Sequence, residues 1–339
     1  MLVAPDSEAS LDDRLSTPDD ATIAAMASLD GDVLILGAGG KMGPTLARMA
    51  RRAIIDRSRR VIAVSRFSDP ATALALEAHG VTVVRADLAD PAAVRRLPDA
   101  ANVLWLAGQK FGTTDDPVGT WTHNVVAAVH AAERYAGSRI VCFSTGNVYG
   151  RTLESGGGSR ESDALNPDGE YAASCIGRER VFASVSRRNG SRLLLYRLFY
   201  ACDLRYGVVT ELARQVLHGA PIGLDTPQVN VIWQGDANRL ALRALSVADA
   251  SAVALNVTGS AVAVRDLARM IGDVAGMAPI YIGDVGTHAL TANVSKLEAL
   301  LPYTPLPLPT LCAWAVQWIR DGHRLLHKPT RFEVRDGRF

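Results

Sequence analysis

The sequence predicts a doubly wound α/β fold, in which helices cover both faces of a parallel sheet and a smaller lobe follows toward the C-terminus. Two observations predict it. From residue 31 onward, short runs of Val, Ile and Leu alternate with longer helical stretches, which is the pattern of strands buried on both faces of a sheet. A glycine-rich loop also follows the first of these runs directly, as is typical of the first strand-to-helix turn in such folds.

The strands are predicted in order along the first half of the chain. They are "DVLILGAGG" (32–40), "RRVIAVSRF" (59–67), "GVTVVRADL" (80–88), "NVLWLAG" (102–108) and "RIVCFSTGN" (139–147). A long helix from residue 171 then leads to a sixth strand, "SRLLLYRLFY" (191–200). Because helical segments separate the strands, a parallel sheet is expected. We predict one domain over residues 31–200.

The flanking regions are predicted separately. Residues 1–30 form an extension, in which "STPDDATIAAMASL" is typical of a short helix with Thr17 as N-cap and Pro18 at the first helical position. Residues 201–339 mix helical segments with the strands "QVNVIW" and "AVALNVTG". We expect them to form mainly a smaller substrate-binding lobe, with segments that return to the main sheet.

Composition argues against several classes of function. Lys and Arg number 36 against 35 for Asp and Glu, so no positive field favours nucleic acid or an acidic membrane surface. No apolar run approaches the roughly 20 residues that a membrane span needs. The four cysteines are scattered, which predicts reduced thiols in a soluble cytoplasmic protein. His323 and His327 have a metal-like spacing but no third ligand nearby, so no metal site is predicted.

The loop "GAGGKMG" places Gly37, Gly40 and Gly43 between a strand and a helix. Glycine suits these positions because one permits a tight turn, one lets the backbone approach a pyrophosphate, and one lets the helix pack on the strand. A purely structural turn is the alternative. In this strand, turn and helix context, the loop predicts a dinucleotide site.

The end of the second strand bears on the choice of nicotinamide cofactor. NAD sites usually place an acid there for the ribose 2′-hydroxyl, whereas NADP sites favour a positive group near the 2′-phosphate. Ser65 and Arg66 occupy this point. We predict NADP or NAD, with NADP slightly preferred; an ordinary solvated arginine is the alternative. Lys41 either assists or is simply exposed at the helix start.

Further motifs, taken in order, resemble the extended short-chain dehydrogenase/reductases, the NAD-dependent epimerase/dehydratase family, over about residues 31–322. The glycine loop matches the family's Gly-x-x-Gly-x-x-Gly, and Asp87 and Leu88 match its adenine-contacting Asp-Leu. "LAGQK" resembles the "FAGLK" type of loop in sugar-nucleotide 4-epimerases, which implies a cofactor contact for Lys110. Asn124 corresponds to the asparagine of the following helix. The resemblance implies a Rossmann domain.

The catalytic motifs of the same family are also present. "FSTGNVYG" resembles the Ser-Ser-x-x-Val-Tyr-Gly signature and places Thr145 at the catalytic hydroxyl position, upstream of Tyr171 at a spacing close to the family's. The assigned catalytic residues are Thr145, Tyr171 and Cys175. The assigned cofactor residues are Gly37, Gly39, Gly40, Lys41, Met42, Gly43, Ser65, Arg66, Asp87, Leu88, Leu106, Ala107, Gly108, Lys110, Asn124, Ser144 and Tyr171. The assigned substrate residues are Phe111, Asn147, Tyr200, Arg205, Tyr206 and Trp233. Loop anchoring for Arg205 and Tyr206, and core packing for Trp233, are the alternatives.

Two positions depart from the family's pattern, and the first of them concerns the mechanism. Cys175 stands where the Tyr-x-x-x-Lys motif has lysine, and Tyr200 stands where the family often has asparagine. A tyrosine phenol normally has a pKa of about 10, so Tyr171 needs a nearby positive charge to act as a base near neutrality. One interpretation is that the oxidised nicotinamide, Lys110 or Arg178 supplies that charge. The others are that Cys175 has chemistry of its own, or that the protein binds the cofactor without turnover.

The resemblance therefore implies an NAD(P)-dependent oxidoreductase, epimerase or dehydratase that acts on a polyhydroxylated, sugar-derived carbonyl or alcohol. Thr145 would hold the reacting oxygen, Tyr171 would transfer its proton and nicotinamide would carry hydride. The alternative is a non-catalytic dinucleotide-binding sensor or regulator. A small-molecule substrate is the expected partner. The family's pairing through the helix of the Tyr motif implies a homodimer.

Overall fold

The structure, a computed structural model, describes residues 3–326 and 330–333. The strands of the described residues are β1 Val33–Leu36, β2 Val61–Ser65, β3 Thr82–Arg85, β4 Asn102–Trp105, β5 Arg139–Thr145, β6 Thr152–Leu153, β7 Arg192–Leu198, β8 Ala201–Cys202, β9 Pro221–Gly223, β10 Gln228–Asn230, β11 Ile232–Trp233, β12 Val253–Val257, β13 Ala261–Ala263, β14 Ile280–Ile282 and β15 His288–Ala289. The α-helices are α1 Glu8–Leu15, α2 Asp20–Ala27, α3 Gly43–Ala53, α4 Pro70–Ala78, α5 Pro91–Arg95, α6 Pro117–Trp121, α7 Ala127–Arg134, α8 Gly169–Asn189, α9 Val208–Leu217, α10 Gln234–Val247, α11 Val264–Ala275, α12 Ser295–Leu300 and α13 Leu308–Arg320. A π-helical turn, Thr122–Val126, joins α6 to α7, and short 3₁₀ turns span Gly146–Tyr149 and Glu154–Gly156.

The central sheet is parallel and has the strand order β12-β7-β5-β4-β1-β2-β3. The carboxyl ends of its middle strands are level, since Leu36 pairs with both Val64 and Trp105. The chain leaves β1 toward β2 and β3 on one side and continues with β4 on the other. In open α/β sheets such a reversal of strand order leaves a crevice at the carboxyl edge, where ligands bind.

The sheet is buried on both faces. In β1, Val33 and Ile35 belong to one hydrophobic core, and Leu34 and Leu36 belong to the core on the opposite face. A continuous apolar run is what such a strand requires. The structure thus confirms the predicted doubly wound α/β fold.

The N-terminal extension differs from its prediction. Asp19, not Thr17, caps α2, because its side chain accepts a hydrogen bond from the backbone N of Thr22 at 2.8 Å. The chain also forms α1, which was not predicted. Leu11 and Leu15 of α1 are fully buried in the core of the C-terminal lobe, so tertiary packing stabilises a helix whose Asp- and Ser-rich sequence gives little signal.

The C-terminal half divides between the sheet and a second core. The predicted strand "QVNVIW" is two strands, because β10 pairs with β13 whereas β11 pairs with β8. β12 returns to the main sheet beside β7. The boundary at residue 200 stays a prediction, and His327 lies outside the described residues. Within the described part of the chain, no helix is both long and apolar enough to span a bilayer.

Candidate active site

The glycine-rich loop turns at the end of β1 with almost no room for side chains. Gly37 has φ +88°, and a Cβ there would lie 2.5 Å from the backbone N of Ala107. A Cβ on Gly43, where α3 begins, would collide with the carbonyl of Ala38. The N-cap of α3 is Met42, whose thioether makes no capping hydrogen bond. Because Pro44 has no N–H, the backbone N–H groups of Gly43 and Thr45 are those at the start of α3 that can meet an anion.

A cleft of about 460 Å³ opens at this edge of the sheet. The predicted cofactor and substrate residues that line it are Gly37, Gly39, Gly40, Ser65, Arg66, Asp87, Leu88, Leu106, Ala107, Gly108, Lys110 and Phe111. The lining residues that were not predicted are Phe67, Ser68, Asp69, Thr72, Ala86, Ala89, Gln109, His123 and Ala127. The predicted cofactor residues Lys41, Met42, Gly43, Asn124, Ser144 and Tyr171 are not among its lining residues.

The rim of the cleft after β2 carries both signs of charge. Arg66 is exposed there. Asp69 caps α4 by accepting from the backbone N of Ala71 at 3.0 Å, and hydrogen bonds from Thr72 and Ala71 hold the pKa of Asp69 below its usual value. Phe67 between them has φ +46°, a conformation that is uncommon outside glycine. A ribose bound at this rim would meet a cation and a carboxylate.

Lys110 lies on the opposite wall, and its Nζ is 5.6 Å from the centre of the Phe111 ring. The ammonium also donates to the carbonyl O of Thr330 at 3.4 Å. Burial, and then the charge of Lys41, lower the pKa of Lys110 to about 8, while Glu211 acts in the opposite direction. Lys110 is thus a cation in the cleft that loses its proton just above neutrality.

The two predicted catalytic hydroxyls are brought together from different elements. Tyr171, in the first turn of α8, packs on the small core that contains Cys175, and hydrogen bonding with the side chains of Thr145 and Cys175 acts on the pKa of its phenol. Asn147 donates to Thr145 Oγ1 from its backbone N at 3.3 Å and from Nδ2 at 3.2 Å. Burial, followed by Cys175, raises the pKa of Tyr171 far above its ordinary value, and Arg178 opposes this. The phenol is therefore a proton donor in this state.

Cys175, at the position of the family's lysine, is fully buried. Its Sγ accepts a hydrogen bond from Nη2 of Arg178 at 3.2 Å, and Nη1 of Arg178 donates to the carbonyl O of Ala107 at 3.2 Å. Burial raises the pKa of the Cys175 thiol, while Arg178 acts to lower it. A Cβ on Gly108 would lie 2.7 Å from Nη1, so the loop after β4 makes room for this guanidinium.

A buried polar network lies behind the catalytic hydroxyls. Glu179 accepts from Ser144 Oγ at 2.5 Å and from both Nε and Nη2 of Arg197, at 2.9 and 2.7 Å. Arg197 also donates to the hydroxyl of Tyr149 at 2.6 Å, which in turn donates to Asn256 at 2.8 Å. Ser144, predicted as a cofactor residue, is thus directed into this network. The network fixes the end of β5 against α8, β7 and β12.

Asn124 clamps the loop after β4. It is fully buried in the π-helical turn, accepts from the backbone N of Gln109 at 2.7 Å and donates to Ser174 Oγ at 2.8 Å. Single π-helical turns occur frequently at functional sites. The turn also carries His123, which lines the cleft. Asn124 therefore positions the cleft wall without lining it.

The predicted substrate residues Tyr200 and Tyr206 lie on the lobe side of the site. Tyr200 packs on the small core that contains Cys175, and burial raises its pKa to about 12, with Arg151 opposing. Lys41 of the glycine loop lies 3.8 Å from the centre of the Tyr206 ring and donates to the carbonyl O of Ala201 at 3.2 Å. These contacts join the glycine loop to the start of the C-terminal lobe.

Of the predicted substrate residues, Phe111 lines the cleft, whereas Asn147, Tyr200, Arg205, Tyr206 and Trp233 are not among its lining residues. Arg205 donates to Asp12 at 2.9 Å and to Asp203 at 3.3 Å, and so anchors α1 to the lobe. Trp233 is buried and packs edge-on against Trp314, with ring centres 5.9 Å apart. It borders a separate cavity of about 390 Å³ that shares no lining residue with the cofactor cleft. Arg205 thus agrees with the alternative of loop anchoring, and Trp233 with the alternative of core packing.

Several functional candidates escaped the sequence reasoning. Asp69 had a local signal, because "SDPAT" has the form of a helix start with a cap and proline. The contact of Glu211 with Thr330 had none, because 119 residues separate them: the N and Oγ1 of Thr330 each donate to Glu211 at 2.5 Å. Arg151 likewise donates to the carbonyl O of Phe332 at 3.4 Å. Residues 330–333 thus lie beside Lys110 at the lobe side of the cleft.

The residues of the cleft fit a nicotinamide dinucleotide. The glycine loop excludes side chains, the start of α3 offers backbone N–H groups, and Lys110 supplies positive charge, as phosphates require. A volume of about 460 Å³ is within the range of cofactor pockets. Thr145 is the last residue of β5 in the same sheet, and its side chain interacts with the phenol of Tyr171. The arrangement is therefore suited to proton transfer beside a bound dinucleotide.

Comparison with known proteins identifies one family. The sequence profile of the NAD dependent epimerase/dehydratase family matches residues 33–263. No curated protein sequence matches the chain.

Solved structures share the fold over most of the chain. MoeE5 in complex with UDP-glucose and NAD is 24% identical, with a TM-score of 0.69 over 86% of this chain and 99% of that one. The UDP-glucuronic acid 4-epimerase of Bacillus cereus, with UDP-glucuronic acid and NAD, is 18% identical, with a TM-score of 0.70 over 86% and 100%. The UDP-glucose 4-epimerase of Thermus thermophilus, with NAD, is 21% identical, with a TM-score of 0.67 over 85% and 99%.

Proposed function

Because the chain belongs to the NAD dependent epimerase/dehydratase family, we propose that it is a nicotinamide-dependent enzyme that oxidises, reduces, epimerises or dehydrates a sugar-derived substrate. The observation that carries the proposal is the interaction between the side chains of Thr145 and Tyr171, on a helix whose Arg178 donates to the carbonyl O of Ala107 in the wall of the dinucleotide cleft. Similar structures hold UDP-sugars, which supports a sugar nucleotide as the first substrate class to examine.

In the proposed mechanism, Thr145 orients the reacting oxygen and Tyr171 exchanges a proton with it. Asn147 fixes Thr145 by two hydrogen bonds, so its hydroxyl has a defined direction. Since burial keeps the phenol protonated, Tyr171 is ready to protonate an oxygen that becomes an alkoxide. When bound, the nicotinamide accepts or gives hydride. A protonated Tyr171 favours reduction of the substrate, in which the phenol gives its proton to the substrate oxygen.

The cofactor is NAD or NADP, held by the glycine loop, the start of α3 and Lys110. The solved structures named above contain NAD, and the preference for NADP rests on Arg66 alone. Asp69 on the same rim offers a carboxylate to an unmodified ribose. The balance between Arg66 and Asp69 therefore decides the specificity.

The competing proposal is a sensor that binds the dinucleotide without turnover, motivated by Cys175 in place of lysine. The two proposals are separated by measuring dinucleotide affinity and turnover of UDP-sugars for the protein and for Tyr171→Phe. An enzyme loses turnover by about 10²–10⁴-fold and retains most of its affinity. Tyr281→Phe, on the surface of the lobe, is the control. Binding of the cofactor together with no turnover of any UDP-sugar would favour the sensor.

Pairing of two copies remains part of the proposal. Val118, Trp121, Val126 and Val129 are exposed on α6, the π-helical turn and α7, beside α8, through which the family's pairing is expected. Trp121→Glu should shift a dimer to monomer in light scattering. Val285→Glu, at an exposed apolar residue elsewhere, should not. A monomeric native protein would refute pairing.

A further inference from the structure

Arg178 is a buried cation without a carboxylate partner. Its side chain lies in the protein at 4% exposure, and among the described residues it takes part in no ion pair. It donates to the thiol of Cys175 and to the carbonyl O of Ala107, and it also interacts with the thiol of Cys142. A buried charge that is not paired is costly. The protein keeps the unpaired guanidinium of Arg178 near the phenol of Tyr171, which becomes negatively charged when it loses its proton.

The groups around Arg178 form one continuous chain of contacts. Tyr171 packs on the small core that contains Cys175, and hydrogen bonding with Thr145 and Cys175 acts on the pKa of its phenol. The Cys175 thiol in turn accepts from Nη2 of Arg178 at 3.2 Å. A thiol is both a weak donor and a weak acceptor. It can therefore donate its proton to a phenolate on one side while it accepts from a guanidinium on the other.

We propose that Arg178 replaces the missing lysine and acts as a positioning residue that stabilises the Tyr171 phenolate through the bridging thiol of Cys175. The inference rests on the proposed function. When an alcohol proton passes to the phenolate, the O–H bond of Tyr171 forms, while the S–H of Cys175 and the protons of Arg178 stay in place. In the reverse direction the negative charge left on the phenol is held by the same bridge. Cys175 acts as a relay of hydrogen bonds and is no nucleophile.

Other charged and titratable groups face this unit from the elements packed on it. Burial acts to lower the pKa of Arg178, while Cys175, Cys142 of β5, Tyr171 and Glu179 of α8 act to raise it. Glu179 is committed to Arg197 in a two-bond ion pair. Lys110, from the loop after β4, lies close enough to Cys175 for the two to interact. Lys110 is therefore the competing candidate, and the experiment must separate it from Arg178.

The test measures the proton affinity of the phenol directly and needs no substrate. A fluorinated tyrosine at position 171 brings the phenol into a pH range in which the protein is folded, and phenolate absorbance reports its titration. Arg178→Gln should raise the proton affinity about tenfold, and Arg178→Lys should leave it near that of the native protein. Lys110→Gln should change it less than Arg178→Gln. Equal titration in the native protein and Arg178→Gln would overturn the proposal.

The bridging thiol has its own variants. Cys175→Ser keeps a donor and acceptor and should titrate like the native protein, whereas Cys175→Ala should raise the proton affinity about threefold. In the double variant Arg178→Gln with Cys175→Lys, the restored lysine should return the proton affinity to the native value or below it. A purely structural Arg178 would not be rescued in this way. If Arg178→Gln fails to fold, the pair Cys175→Ser and Cys175→Ala decides, and equal titration of these two refutes the bridge.

The outcome is independent of the proposed enzyme activity. A shifted phenol in Arg178→Gln with no turnover of any substrate upholds the inference and refutes the enzyme. Turnover with an unshifted phenol does the reverse, and Lys110 or the cofactor then supplies the charge.

Discussion

The two halves of the candidate site are built in different ways. The cofactor half consists of strand ends and a glycine loop, and its shape depends on the absence of side chains at Gly37 and Gly43. The catalytic half consists of buried polar side chains from β5, α8 and β7, whose charges and hydrogen bonds depend on one another. Substitutions in the first half should therefore act through backbone shape and ligand affinity, and those in the second through stability and pKa.

The largest effect, a loss of folding stability, is expected at Arg197. Arg197→Met leaves Glu179 buried without its guanidinium, which should destabilise the fold by about 3–5 kcal/mol. Urea unfolding measures this. Arg269→Met removes the exposed partner of Asp266 and should cost less than about 0.5 kcal/mol. Similar unfolding midpoints for the two variants would mean that the buried network does not support the site.

In the cofactor half, a single added methyl group should lower the affinity for the dinucleotide. Gly43→Ala places a Cβ against the carbonyl of Ala38 and forces the start of α3 away from the loop. Dinucleotide affinity in calorimetry should fall about 30-fold, since each lost hydrogen bond to a charged group is worth about 1.5–3 kcal/mol. Gly156→Ala, with open space around it, should bind normally. Unchanged affinity in Gly43→Ala would refute this position for the pyrophosphate.

Lys110 should make the affinity for the cofactor depend on pH. Its pKa of about 8 means that the ammonium is charged below that pH and neutral above it. Affinity for the anionic dinucleotide should therefore fall by up to about tenfold as the pH rises from about 7 to 9. Lys110→Arg keeps its charge and should flatten the curve. A native protein with a flat curve would show that Lys110 does not contact the phosphates.

The smallest effect is expected at the rim. Arg66 is exposed, so Arg66→Ala should weaken NADP binding by about fivefold and leave NAD binding unchanged. Arg57→Ala, at another exposed arginine, serves as the control in the same calorimetric titrations. An equal loss for both cofactors would assign Arg66 to general electrostatic attraction. No loss for NADP would leave Asp69 to set the specificity.

Much of the cofactor half was predictable because its signals are local. Gly37, Ser65 and Asp87 follow directly on apolar runs, and parallel strands bring their carboxyl ends to one edge. The proposed catalytic residues Thr145 and Tyr171 were assigned by family resemblance, and their side chains interact in the structure. The directions of Ser144 and Asn124, which support the site from behind, were not predictable, because hydrogen-bond partners far along the chain decide them.

The sequence alone determined the doubly wound sheet, the glycine loop at its edge and the absence of lysine at Cys175, because hydrophobic periodicity and residue identity are readable position by position. Only the tertiary structure decided which cation meets that cysteine. The sequence left the oxidised nicotinamide, Lys110 and Arg178 as candidates. Arg178 stands three residues after Cys175 on α8, so helix geometry lets the two meet, and α8 packs against the loop after β4, where Arg178 also bonds to Ala107. The burial of this pair, and the distance of each competing charge from it, depend on that packing, which no local pattern encodes.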